Sequence, residues 1–258
     1  MCIILLAYKS HPVYPLVLAA NRDEFYERPT AAAAYWDDAP TLLAGRDLER
    51  GGTWLGVTEA GRLAAVTNYR EPGRRIAVDA PSRGLLVSDF LRSREKPEAY
   101  LERLAADACR YNGFNLIAGD TDELYYYSNR GPAPQALRPG IYGVSNHLLD
   151  TPWPKVARGK EALAEILASD APQPEDIFRL LADRTCADDS CLPETGVGLE
   201  LERVLSPLFI TSPVYGTRSS TVLMLDREGG MTFVERSFTN GSERWDEAGY
   251  EFKIRRGV

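Results

Sequence analysis

The chain has 258 residues, 44% of them hydrophobic and 26% charged, the composition of a folded globular protein with one sizeable core. A net charge of −7 gives no general attraction to phosphate backbones, so nucleic acid is not an expected partner. No stretch approaches the roughly 18 continuous apolar residues of a membrane span, and the apolar start lacks the basic lead of a secretory signal. These features lead us to expect a cytoplasmic protein folded as a single domain over residues 1–258.

CIILLAY and PLVLAAN, separated by a Lys-Ser-His-Pro break, predict a first hairpin. TWLGVT and RLAAVT, separated by EAG, predict a second, so the first third reads as antiparallel sheet. SRGLLVSDFLRS and PEAYLERLAADACRY carry apolar residues at three- and four-residue spacing, with Ser82 and Pro97 as entry signals, and predict two helices on one face. On the second helix Cys109 is expected to face the core. FNLIAGD, ELYYYSN and GIYGVSN return the chain to strand as a second sheet layer. Of Tyr125, Tyr126 and Tyr127, at most two can share a face, and core packing is their expected use. WPKVARGKEALAEILA and PEDIFRLLADR predict further helices, and STVLMLD, MTFVERS and YEFKIRR a closing meander. This block order predicts an α+β fold in which two antiparallel sheets are stacked between helical layers, an αββα sandwich, rather than alternating βαβ units.

Cys2, Cys109, Cys186 and Cys191 show no paired CxxC spacing, and His11 and His147 lie far apart, so no metal site is expected; Cys186 and Cys191 read as ordinary loop thiols. Cys2 follows the initiator directly. Removal of Met1 would give one residue both a thiol, of pKa about 8.5, and an α-amine, of pKa about 8, close enough for the amine to serve as the thiol's base. The alternative for Cys2 is a small apolar residue starting a buried strand. Asn68 and Asn146 both fall at strand ends, where a side-chain amide can donate from a fixed position or simply form a turn. GRDLERGGTWLG reads as a loop near the mouth of a site, where Gly51 and Gly52 permit unusual backbone angles and Trp54 lines an apolar pocket, or as a hairpin approach with a core tryptophan.

Cys2 followed by a hairpin ending in A-N-R-D-E-F, then G-R-D-L-E-R-G-G-T-W-L-G, T-N-Y-R, S-N-H-L-L-D-T-P-W-P-K-V and Y-G-T-R-S-S-T-V resembles the NRDE family, also called the Transport and Golgi organisation protein 2 family. The resemblance runs from residue 2 to about residue 225. That family is in turn similar to the N-terminal nucleophile hydrolases of the choloylglycine hydrolase and penicillin acylase type, whose four-layer αββα sandwich agrees with the pattern above.

The resemblance implies that Cys2 is the nucleophile with Arg22 and Asp23 beside it, the arginine favouring thiolate and the carboxylate orienting the α-amine. The hydrolase branch separates its arginine and aspartate by three positions, whereas here they are adjacent. Adjacent residues on an extended strand point to opposite faces, so either the strand bends or Asn21 or Glu24 takes one of the two tasks. Asn146 is implied as the principal oxyanion donor with Asn68 second, and Arg218 resembles the branch's late arginine. The implied activity is hydrolysis of an amide or thioester of an apolar acyl group, with no cofactor required. The alternative implied by the family is a non-enzymatic carrier for haem or acyl-coenzyme A and other lipids, with Cys2 and His147 as candidate haem ligands.

Overall fold

The computed structural model describes residues 2–73, 77, 79–169, 171–239 and 244–255. The chain begins with strands β1 (Cys2–Tyr8), β2 (Leu16–Phe25), β3 (Thr30–Trp36), β4 (Ala39–Asp47), β5 (Leu55–Thr58) and β6 (Leu63–Asn68). Helices α1 (Arg83–Arg92) and α2 (Pro97–Asp107) follow, then strands β7 (Phe114–Gly119), β8 (Leu124–Ser128), β9 (Gln135–Ala136) and β10 (Gly140–Val144). Helices α3 (Pro154–Ile166), α4 (Pro174–Leu181) and α5 (Leu199–Val204) precede the closing strands β11 (Tyr215–Leu225), β12 (Gly230–Phe238) and β13 (Trp245–Lys253). The chain divides into two compact units, one built from residues 1–27, 70–74 and 138–251, the other from residues 28–69, 75–137 and 252–258.

The first unit contains the six-stranded sheet, in the order β10-β1-β2-β11-β12-β13. Alternation along the β1–β2 hairpin puts Ile3, Leu5, Ala7, Val17 and Ala19 on one face, where they meet Trp153 and the apolar sides of α3 and α4. Two glycines let α3 come this close. A Cβ on Gly159 would lie 2.9 Å from the Leu5 methyls, and one on Gly143 of β10 would lie 2.8 Å from Val156. Both helices start at a proline in the first turn, where its missing N–H costs nothing, and Gln173 with Asp176 adds a capping box to α4. The strand GIYGVSN is corrected in its partner: as β10 it extends the first sheet beside β1, with Ile4 opposite Val144, instead of joining a second layer.

The second unit contains a seven-stranded antiparallel meander, β3-β4-β5-β6-β7-β8-β9. Helix α1, capped by the Ser82 hydroxyl at the Gly84 N–H, packs over β4 to β7, and α2 packs over β8. Tyr125 and Tyr127 enter the core under these helices, while Tyr126 points to the other face and donates to the Asn115 side chain at 2.8 Å. Three strands, β3, β4 and the two-residue β9, have no sequence expectation behind them. TAAAAYW is alanine-rich, a weak strand former, yet it pairs as β3, and β4 takes up Gly45 to Asp47 of the segment expected to be loop. Cys109 is also corrected. Helix α2 buries Leu101 and Leu104, and Ala108 completes that stripe; Cys109, one residue further round, is exposed.

Candidate active site

Cys2 opens β1 and pairs with Arg22 on β2. Directly opposed residues in a sheet share a face, so Arg22 lies on the same side as Cys2 and Asp23 on the other. Strand β2 itself stays regular. The irregularity lies in its neighbour β11, where Thr217 pairs with Asp23 and Ser219 with Arg22, leaving Arg218 as the extra residue of a bulge. Asp23 nevertheless contributes to both faces: its backbone N–H donates to the Cys2 thiol, while its carboxylate accepts from the Thr217 hydroxyl at 2.7 Å. The adjacency of Arg22 and Asp23 is thereby accommodated, the first sharing the thiol's face and the second reaching it through the main chain.

Cys2 as a residue is only partly covered, but burial around its thiol pushes the thiol pKa up; the Asp23 charge adds to this, and the Asp23 N–H and Arg22 oppose it. Asp23 is 1% exposed, and burial likewise raises its carboxyl. Arg22 is 5% exposed and lies 3.9 Å from the carboxylate of Glu24. Asn146 is fully buried just beyond β10. The β1–β10 ladder ends at Ile4 and Val144, and the chain leading into Asn146 is tied to Cys2 through Ser145. The Ser145 hydroxyl fastens this junction, placed to donate to the Cys2 carbonyl (2.9 Å) and to Asn146 Oδ1 (3.2 Å), and the Arg70 N–H donates to the Asn146 carbonyl at 2.7 Å.

The remaining expected residues divide. Asn21 serves the framework: its amide donates to the carbonyls of Leu181 and Leu208 and accepts from Ser220, tying β2 to the end of α4 and to β11. Arg218 donates to the carbonyls of Phe25 and Tyr26 at the end of β2. His147 bonds through Nδ1 to the Thr151 hydroxyl at 2.9 Å and packs against Trp153; burial lowers its pKa. Asn68, at the end of β6 opposite Phe114, and Trp54, whose ring lies across Gly45 of β4, belong to the second unit. Met1 lies outside the described residues. Among the described residues no cluster of three or more His, Cys, Asp or Glu is arranged to hold a metal.

Sequence reasoning passed over Arg70, Lys155, Glu202 and Thr217. Arg70 donates to Glu202 at 2.7 Å with both side chains buried, its guanidinium stacks over Trp153, and the Thr195 N–H and hydroxyl complete the Glu202 carboxylate. Lys155, the second residue of α3, is 2% exposed, and with Arg70, Trp153 and Glu202 it lines a recess of about 10 Å³, the room of one water-sized body. Arg70 closes T-N-Y-R, Lys155 lies in T-P-W-P-K-V and Thr217 in Y-G-T-R-S-S, so the signal for these three was in the motifs. Glu202 carries none, being one of two acids on a short helix.

The fold is that of the N-terminal nucleophile hydrolases. A Caenorhabditis elegans orthologue of N-acylethanolamine-hydrolyzing acid amidase aligns with a TM-score of 0.51 at 11% identity, over 86% of this chain and 92% of its own. A mutant of conjugated bile acid hydrolase from Clostridium perfringens aligns with a TM-score of 0.52 at 8% identity, over 99% and 98%. At such identities the likeness establishes the fold alone. By sequence the chain belongs to the Transport and Golgi organisation 2 family, which it matches over residues 1–240. The Transport and Golgi organization protein 2 homologs of Bos taurus and Homo sapiens are 40% and 38% identical to it, each over 98% of this chain and 99% of the relative. The Drosophila melanogaster protein of that name is 31% identical over the full length of both.

Proposed function

We propose that the chain is a cysteine hydrolase of the N-terminal nucleophile type, in which Cys2 attacks the carbonyl carbon of an amide or thioester of an apolar acyl group. The observation that carries this reading is the Cys2 thiol at the head of β1, met by the Asp23 N–H, with Cys2 tied through Ser145 to the buried Asn146. Removal of Met1 makes the α-amine of Cys2 available as the base. It accepts the thiol proton as sulfur bonds to the acyl carbon, the carbonyl electrons move onto oxygen, and the Asn146 amide donates to that oxyanion. Collapse expels the amine or thiol, which takes the proton from the α-ammonium, and water then cleaves the acyl-enzyme by the same route in reverse order. A thiol held protonated by burial suits a base that acts only during attack. An uncharged acyl group suits surroundings whose charges are already matched, Arg22 with Glu24 and Arg70 with Glu202.

The test mixes purified protein, its Met1 status established by intact mass, with a long-chain acyl-coenzyme A and follows free thiol beside a Cys2→Ala control. Sustained release that disappears in the control supports the hydrolase. Saturable binding with the thioester left whole would replace it with the carrier reading, and haem titration of Cys2→Ala and His147→Ala would then identify the cargo's contacts.

A further inference from the structure

Strand β11 carries three consecutive hydroxyls, Ser219, Ser220 and Thr221, which are 3%, 2% and 1% exposed. Two of them are used by the chain. Ser220 donates to Asn21 Oδ1 at 2.6 Å, and Thr221 donates to the Glu235 carboxylate at 3.2 Å. The Ser219 Oγ has no hydrogen-bond partner among the described residues. A buried hydroxyl left unpaired carries a desolvation cost that alanine in the same place would not. A partner from outside the chain accounts for it. The register fixes the face on which that partner lies. Beyond the bulge at Arg218, Ser219 stands opposite Arg22, and Arg22 stands opposite Cys2. Opposed residues share a face, so Cys2, Arg22 and Ser219 form one row across β1, β2 and β11. With neighbouring strands about 4.8 Å apart, Ser219 lies roughly 10 Å from Cys2. The tie to Asn146 leaves Cys2 on its other side, where β10 adjoins β1. Attack and a hydrogen bond each take up about 3 Å, so a substrate oxygen a few bonds from the scissile carbonyl spans the interval. Arg22, between the two, already has the Glu24 carboxylate at 3.9 Å, which favours a neutral oxygen over a further anion.

We propose that Ser219 forms a specificity-determining subsite in line with Cys2, where its hydroxyl bonds a neutral oxygen, an amide carbonyl or a hydroxyl, on the leaving group of the substrate. Assignment to the leaving group rests on the hydrolase reading, in which the acyl group is apolar and offers the hydroxyl nothing to bond. A plain alkyl leaving group leaves Ser219 unsatisfied, and the site discriminates against it by that unmade bond.

The test compares thiol release from two lauroyl thioesters, that of N-acetylcysteamine, whose leaving group carries an amide carbonyl, and that of butanethiol, whose leaving group carries none. The ratio of kcat/KM for the first ester over the second should fall about tenfold from the parent to Ser219→Ala, the intrinsic reactivities of the esters cancelling between the two proteins. Ser219→Ala should melt at or above the parent's temperature, because the chain itself gives the hydroxyl no bond. An unchanged ratio would show that the hydroxyl holds only water, and a variant that melts several degrees lower or fails to fold would show that it serves the fold; either result overturns the subsite. A parent that cleaves neither ester overturns the hydrolase reading instead, and the subsite is then read from binding. In that case the ratio of the dissociation constants of the two esters should shift by the same factor in Ser219→Ala, and an unshifted ratio, or no binding of either ester, overturns the subsite as well.

Discussion

Each residue around Cys2 answers a separate physical demand. Asn146 has its main chain held by Arg70 and its Oδ1 by Ser145, so its amide nitrogen is presented from a rigid site. Asn146→Ala should therefore lower kcat/KM for the acyl substrate by about 10²–10³ while the melting transition stays cooperative, the two being compared by thiol release and calorimetry on one preparation. A lost transition would mean that the side chain serves packing. The four cysteines make a second, independent check. Cys109, Cys186 and Cys191 are exposed, whereas burial raises the Cys2 thiol. In protein that retains Met1, brief iodoacetamide treatment followed by peptide mapping should find the three exposed thiols modified before Cys2, because thiolate fraction and access together control the rate.

At the level of elements, the site depends on how closely α3 approaches β1 and β10. That distance is set by Gly159 and Gly143, where a Cβ would meet Leu5 and Val156 at 2.9 and 2.8 Å. Gly159→Leu should force the helix outward and cost about 1–3 kcal/mol in urea unfolding, despite the better helix propensity of leucine. An unchanged midpoint would show that the contact is loose. The bulge at Arg218 is the other device of this kind: one extra residue in β11 keeps Thr217 on Asp23 and sends the Arg218 side chain to the carbonyls that end β2.

Across the molecule, the first unit is assembled from three separated stretches of chain, joined by the β1–β10 and β2–β11 ladders and by side-chain contacts. The Arg70–Glu202 pair, 132 residues apart in sequence, is one of them. Glu202→Gln would leave a buried guanidinium without its charge partner, a loss of about 3–5 kcal/mol that should lower the melting temperature by roughly 10 °C. Replacing both partners with apolar residues should recover much of that loss, because the pair's own desolvation is then removed as well. A single Glu202→Gln variant that melts with the parent would show that solvent reaches Arg70.

The local pattern of residues was enough to predict most elements and the class of fold. The β1–β2 hairpin, the helix starts at Ser82 and Pro97, the sharing of Tyr125, Tyr126 and Tyr127 between two faces, and the order of strand and helix blocks all follow from alternation, periodicity and capping, which act within a few residues. Cys2, Arg22, Asp23 and Asn146 were nameable as a candidate site only through the family resemblance of the motifs that carry them. What spacing could not supply was register. Only the paired strands decide that Cys2 opposes Arg22, that Asp23 reaches the thiol through its main chain, that Asn21 is absorbed into the framework, and that β10 lies beside β1 rather than in another layer. Lys155 and Glu202 are the extreme cases. A lysine near a helix start and a glutamate on a short helix read as solvated surface, and their burial beside Cys2 and Arg70 arises only when segments more than a hundred residues apart come together, because burial of charge is a property of the assembled environment and not of the local chain.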